Sequence, residues 1–256
     1  MKRVKVAYGA APSQFGHVYL PACTPEDYQT VPLVVLIHGG YWSTEFSLTI
    51  QTAVARSLAE RGAVVWNIEY RRVGEPGGGW PNTGRDVVAA LRALDGPVAA
   101  ALPDDVRSRV AWRSVSVVGH SAGGMLAVWA TTEIGAATQR SAITTIIAQS
   151  APLDLTVGAG YERGSVRKLM GVDYDVAPQR YRDASPACQP VCAAQIIALH
   201  AGDDEMVPVE SSRHYVDTVT ERGQSAKLVV VDGERHEAFI HPASACARRT
   251  VRLLGL

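Results

Sequence analysis

Net charge is what this 256-residue sequence most plainly lacks: 25 lysines and arginines balance 25 aspartates and glutamates. There is no dense Lys/Arg cluster either, so nothing marks a nucleic-acid or anionic-membrane surface, and a small, roughly neutral molecule is the expected partner. Apolar runs fall far short of the ~20 residues that span a bilayer. The basic start at Lys2, Arg3 and Lys5 is not followed by the apolar region and small-residue cleavage site of a secretory signal. These absences predict a soluble cytoplasmic protein. Cysteine is scarce too. Cys23, Cys188, Cys192 and Cys246 form no C-x-x-C pair and have no histidine at zinc-finger spacing, so no metal site is expected and all four read as free thiols. Internal repeats, low-complexity segments and linkers are also missing, which favours one domain over residues 1–256.

What is present is an alternation of strand and helix patterns. Residues 4–20 hold short apolar stretches broken by Gly9, Pro12 and Gly16, as in an opening hairpin. Residues 31–37 are an almost unbroken aliphatic run, the pattern of a strand buried on both faces. A helical spacing over 48–61 ends at Gly62, a suitable left-handed cap, and strand patterns recur at 63–68, 115–118, 143–148, 195–199 and 227–231. Helices are expected at about 83–94, 122–130, 209–222 and 242–254. From 155 to 190 the strand pattern gives way to glycines, charges and tyrosines, which reads as an insertion covering a site, a cap or lid. The fold class is therefore α/β, a mostly parallel, doubly wound sheet with helices on both faces and reactive residues at the carboxyl ends of strands.

One such end carries Gly119-His120-Ser121-Ala122-Gly123, between an apolar strand and a helix-prone stretch. In that context G-x-S-x-G is a sharp turn that exposes the serine hydroxyl, with glycines where a Cβ would clash. A serine hydroxyl is a poor nucleophile until a base takes its proton, and the base needs a carboxylate to fix its tautomer. Two later strand ends supply them: His200-Ala201-Gly202-Asp203-Asp204-Glu205-Met206-Val207-Pro208 holds the candidate acids Asp203 and Asp204, and Gly233-Glu234-Arg235-His236-Glu237 holds the base, His236. An earlier strand ends in His38-Gly39-Gly40-Tyr41-Trp42, placed to present backbone N–H groups to an oxyanion. Asp154 also follows a strand and is a further candidate acid. Arg163, Arg167 and Lys168 in the insertion read as a solvated charged face, with contact to a substrate carboxylate as the alternative.

The chain order serine, acid, histidine resembles that of the α/β-hydrolase family over nearly the whole length. By that resemblance the acid lies in an H-G-x-x-D-x-x-V-P type turn, which selects Asp204 over Asp203, although Ala201 stands where the family often has glycine. The Pro152-Leu153-Asp154-Leu155 segment resembles the D-L segment after the corresponding strand in esterases, which implies a structural role for Asp154. The H-G-G-x loop of the esterase and lipase branch implies Gly40 and Tyr41 as oxyanion donors with Ala122, and a structural His38. His38-Gly39-Gly40-Tyr41-Trp42 also looks like the H-G-G-Y-W loop of arylformamidases, which hydrolyse N-formylkynurenine, and related carboxylesterases share it. Tyr41 and Trp42, with Trp80, are expected to form a flat apolar wall for the substrate, while Trp129 reads as core. The resemblance implies a cofactor-free, metal-free serine hydrolase cleaving small acyl or aryl esters, with formamide hydrolysis second. A non-catalytic binding protein on the same scaffold is the third reading.

Overall fold

The computed structural model describes residues 2–22 and 30–256; Cys23 lies outside the described residues. The chain opens with an antiparallel hairpin, β1 (Arg3–Ala7) and β2 (Phe15–Tyr19), as expected for 4–20. Six strands follow: β3 (Val31–Ile37), β4 (Val64–Ile68), β5 (Val110–His120), β6 (Ile143–Gln149), β7 (Gln195–Ala201) and β8 (Ala226–Val231). They join the hairpin in one sheet of order β1-β2-β4-β3-β5-β6-β7-β8, parallel from β4 to β8.

The two-faced burial read from residues 31–37 is realised by strict alternation. Leu33, Val35 and Ile37 of β3 face one apolar layer with Trp66, Val117 and Ile146, while Val34 and Leu36 face the other with Val65, Val118 and Ile147. Helices cover both layers. On the first lie α2 (Asn82–Arg92) and α5 (Ala122–Glu133); on the second lie α1 (Thr52–Glu60) and α10 (Ala245–Leu253). Apolar α5 is buried over nearly its whole length, so it sits as an inner helix directly behind the serine turn. Two short helices, α3 (Pro97–Ala100) and α4 (Asp104–Arg107), lead into β5. That strand starts five residues before the apolar run at Val115, because its first half carries exposed Arg113 and Ser114 ahead of a register shift between Val115 and Ser116.

Between β6 and β7 the chain forms α6 (Gly158–Tyr161), α7 (Gly164–Met170) and α8 (Pro178–Ala184), and α9 (Val209–Thr220) follows β7. The segment that lacked strand pattern is therefore helical. It is tied down at several points: Ala187 N donates to Leu153 O (2.9 Å), Trp80 N to Leu169 O (2.9 Å), and Trp129 Nε1 to Asp183 O (2.8 Å). No described helix is long and apolar enough to cross a membrane.

Candidate active site

Strand β5 ends at His120, and Ser121 turns the chain into α5 with φ +52°, a left-handed value that a non-glycine residue holds only under constraint. Ser121 N donates to Gln149 O (2.8 Å), and Ser121 O accepts from Gly124 N (2.9 Å), so both sides of the turn are fixed. The flanking glycines serve close approach. A Cβ on Gly119 would lie 2.2 Å from Gly123 O, and one on Gly123 would lie 2.2 Å from Ile37 O. The Ser121 hydroxyl has no hydrogen-bond partner among the described residues.

Beyond β7, the loop brings Asp204 rather than Asp203 to His236. Oδ2 of Asp204 lies 2.7 Å from His236 Nδ1, while Oδ1 accepts from Met206 N and Val207 N, both at 2.8 Å. The Asp204 side chain is fully buried and that of Asp203 faces solvent. Burial raises the Asp204 pKa, but the hydrogen bonds from His236, Val207 N–H and the Ser150 hydroxyl outweigh it and bring it down to about 2. Asp204 is therefore a carboxylate at any working pH. A carboxylate only accepts, so Nδ1 of His236 carries a hydrogen and Nε2 is the basic nitrogen.

Several supports around this pair were not assigned from sequence. Ser150 sits at the end of β6 with φ +43°; its Oγ accepts from Ala201 N (3.2 Å). His200 is wholly buried, with Nε2 2.8 Å from Val207 O and Nδ1 2.7 Å from Ser212 Oγ, and it steadies the loop that carries Asp204. His120 is buried against the His236 ring. The signals were there: His200 opens the acid segment and His120 is the variable residue of the serine pentapeptide. What was missing was any local pattern saying where their rings point.

The loop after β3 has three successive left-handed residues, Gly40 (φ +107°), Tyr41 (+56°) and Trp42 (+56°). A Cβ on Gly40 would meet Phe46 Cβ at 2.3 Å, so only glycine fits there. The run is anchored by Ser43 N to Gly40 O (2.9 Å) and Val73 N to Trp42 O (2.8 Å). The N–H groups of Gly40, Tyr41 and Ala122 have no acceptor among the described residues. These are the arrangements from which anion-binding nests are made. Below the loop, His38 acts as the structural residue expected: its Nε2 lies 2.8 Å from Glu69 Oε1, and its ring stacks on Tyr70 at 4.3 Å. Glu69 also accepts from Leu48 N (3.0 Å) and Tyr70 N (3.0 Å). Burial opposes its ionisation, yet the His38 contact, Leu48 N–H and Arg72 hold its pKa below the ordinary value.

The expected apolar wall is not assembled as read. Trp42 (2% exposed) turns inward under the sheet, and Trp80 (7%) packs edge-on against Trp129 with ring centroids 4.6 Å apart. Both are core, because their rings bury more apolar area there than a loop tip offers. Of the three, only Tyr41 presents its ring outward, at 42% exposure. Arg163 also departs from a solvated face: it is half-buried and donates from Nη1 to Met206 O (2.7 Å) on the acid loop. Arg167 and Lys168 do face solvent. Asp154 is structural, its Oδ1 accepting from Thr156 N (2.9 Å) and Ser185 Oγ (3.2 Å).

Two of these histidines set a pH dependence of stability. Burial, and then the charge on His236, push His120 down to about 3, and burial lowers His200 as well. Below the unfolded histidine pKa of ~6.5 the unfolded chain binds protons that the folded chain refuses, so stability falls as pH falls. His120 alone should cost on the order of 1 kcal/mol between pH 7.5 and 5.5. Urea unfolding at the two pH values checks this, and equal stabilities would contradict it.

Residues 17–219 match the BD-FAE family. A rice protein (Oryza sativa subsp. japonica) described as a probable isoprenylcysteine alpha-carbonyl methylesterase is 24% identical over 253 residues, covering 90% of this chain and 57% of the relative. The chain thus spans little more than half the length of that curated relative. Among solved structures, a truncated carbohydrate esterase from gut microbiota superposes with TM-score 0.77 at 16% identity, covering 100% of this chain and 95% of that one. Esterase B from Lactobacillus Rhamnosis (HN001) gives TM-score 0.77 at 17% identity, covering 99% of this chain and 85% of that one. The architecture is the α/β-hydrolase fold, and with 17–219 matched the chain belongs to the BD-FAE family.

Proposed function

We propose that this protein is a serine carboxylesterase for small acyl or aryl esters. The observation that carries the reading is the 2.7 Å contact between buried Asp204 and His236 Nδ1, at the carboxyl end of the sheet where β5 delivers the strained Ser121 turn. Names given to its relatives, methylesterase and esterase, support the reading. Ser121 Oγ attacks the ester carbonyl carbon as His236 Nε2 takes its proton. The N–H groups of Gly40, Tyr41 and Ala122 receive the negative oxygen of the tetrahedral intermediate. The alkoxide departs with the proton from His236, and water activated by the same nitrogen releases the acid from the acyl-enzyme.

Substrate binding falls to the rim. Tyr41 (42% exposed) and Met206 (37%) are outward apolar side chains on the oxyanion and acid loops, and Arg163 reaches across from the start of α7. Residues 155–190 form the cap in this reading. No cofactor or metal is called for, and the setting is cytoplasmic, in keeping with the free thiols of Cys188, Cys192 and Cys246.

The runner-up, formamide hydrolysis, is favoured by the His38-Gly39-Gly40-Tyr41-Trp42 loop. Turnover of p-nitrophenyl acetate against N-formylkynurenine separates the two. The carboxylesterase reading expects the larger kcat/KM on the ester, and a larger value on the formamide would replace it with the runner-up. Turnover of neither, across an ester panel, would favour a binding protein.

A further inference from the structure

Beside the base lies a second imidazole that the steps above leave unused. His120 is 5% exposed, and its Nε2 lies 3.0 Å from the carbonyl oxygen of His236. A carbonyl only accepts, so Nε2 carries the hydrogen and donates. The two ring centroids are 4.7 Å apart, with Phe239 against His120 at 5.6 Å. The other nitrogen, Nδ1, is therefore a lone pair; it is buried without a partner. It faces the oxyanion loop, since a Cβ on Gly39 would lie 3.0 Å from it. One side chain thus touches the loops of the base and the oxyanion donors, and its own chain neighbour is the nucleophile.

We infer that His120 is the positioning residue of the base: by donating to the His236 carbonyl it fixes the distance between His236 and Ser121. The inference rests on the roles proposed above for Ser121 and His236. Asp204 holds the His236 ring at Nδ1 only, and one hydrogen bond leaves a ring free to swing about it. The carbonyl contact holds the backbone of the same residue, and two anchors define where Nε2 points. The bond joins segments 116 residues apart, the last residue of β5 and the loop after β8. A buried orphan nitrogen costs stability, which an apolar residue at this position would avoid. Burial and the neighbouring His236 also push His120 down to about 3, so it does not compete for the serine proton or place a second cation beside the imidazolium. The titratable groups around His236 are Asp204 from the acid loop, His120 from β5 and His200 from β7.

The test uses the full chain with an accepted aryl ester, and compares His120→Leu, His120→Met and His120→Gln with the parent. Leucine and methionine fill the space without a donor; the glutamine amide N–H sits about where Nε2 does. The two apolar variants lose the orphan nitrogen but leave the His236 carbonyl unpaired, so Tm should change little. They should lose about 10- to 100-fold in kcat with KM little changed, and react correspondingly slowly with a fluorophosphonate at Ser121. His120→Gln should recover most of the lost kcat. Parent-like kcat in either apolar variant, or glutamine no better than leucine at matched Tm, overturns the inference. If the apolar variants fail to fold, His120→Gln decides alone: a 10-fold or greater loss at parent Tm overturns it, and near-parent kcat supports it. Ser121→Ala, run in parallel, tells the two failures apart. If it retains turnover, the proposed chemistry itself fails, and if it is dead while His120→Leu is fully active, only the positioning role does.

Discussion

Replacing Ser121 by alanine should abolish nearly all esterase turnover while leaving the fold in place. The side chain that is lost ends in a hydroxyl with no hydrogen-bond partner among the described residues, so no buried donor or acceptor is orphaned by its removal. Nor is new backbone strain introduced. Serine already holds φ +52° here, and alanine carries the same Cβ. Tm should therefore stay within a few degrees of the parent. The chemistry has no such reserve. Without Oγ there is no acyl-enzyme, and His236 and Asp204 can at best activate water poorly placed for attack. A fall of ~10⁴- to 10⁶-fold in kcat is expected, with a residual rate above solution from the oxyanion donors and substrate binding. Intact-protein mass after a fluorophosphonate should show one adduct on the parent and none on the variant. Turnover unchanged in Ser121→Ala, or a parent that no fluorophosphonate labels, would end the serine-hydrolase reading.

Much of this arrangement could be read from the sequence because its signals are local. The aliphatic run at β3, the glycines around Ser121 and the glycines after His38 each report on their own few residues. Strand burial on two faces follows from composition alone, and chain order placed an acid and a histidine at later strand ends. Contacts across the fold were not legible in the same way. Nothing near Trp42 says that its ring turns inward, because the decision lies with Gly40 and Trp42 at positive φ and with the space beneath β3. Trp80 meets Trp129 because the loop before α2 packs on the inner helix α5, a pairing that local sequence leaves open. The helices of 155–190 escaped a reading based on strands; they are short and draw their stability from anchors such as Leu169 O and Asp183 O. His120, Ser150 and His200 belong to the same class: each residue type was visible, and its partner lay far along the chain.

Asp204 and Asp203 are adjacent and chemically alike, and their asparagine variants should differ by three orders of magnitude or more. Oδ1 of Asp204 accepts from Met206 N and Val207 N, both at 2.8 Å. In Asp204→Asn the amide oxygen must take that place, since two N–H groups cannot point at a third. The amide NH₂ is then left facing His236 Nδ1, where it also donates. His236 answers by carrying its proton on Nε2, the nitrogen that must be free to accept from Ser121. The wrong tautomer is thus imposed by two backbone N–H groups, and a loss of ~10⁴-fold in kcat follows with little change in KM. Because hydrogen bonds hold the parent carboxylate's pKa down to about 2, acid in the folded range acts on the base and not by protonating Asp204. Asp203 is exposed and, among the described residues, held through its backbone, with N donating to Glu234 O (2.9 Å), so Asp203→Asn should stay within ~2-fold of the parent. Steady-state kinetics on the same ester at one pH decide it. Equal, mild losses in both variants would remove Asp204 from its place beside the base, and a severe loss confined to Asp203→Asn would move the acid by one residue.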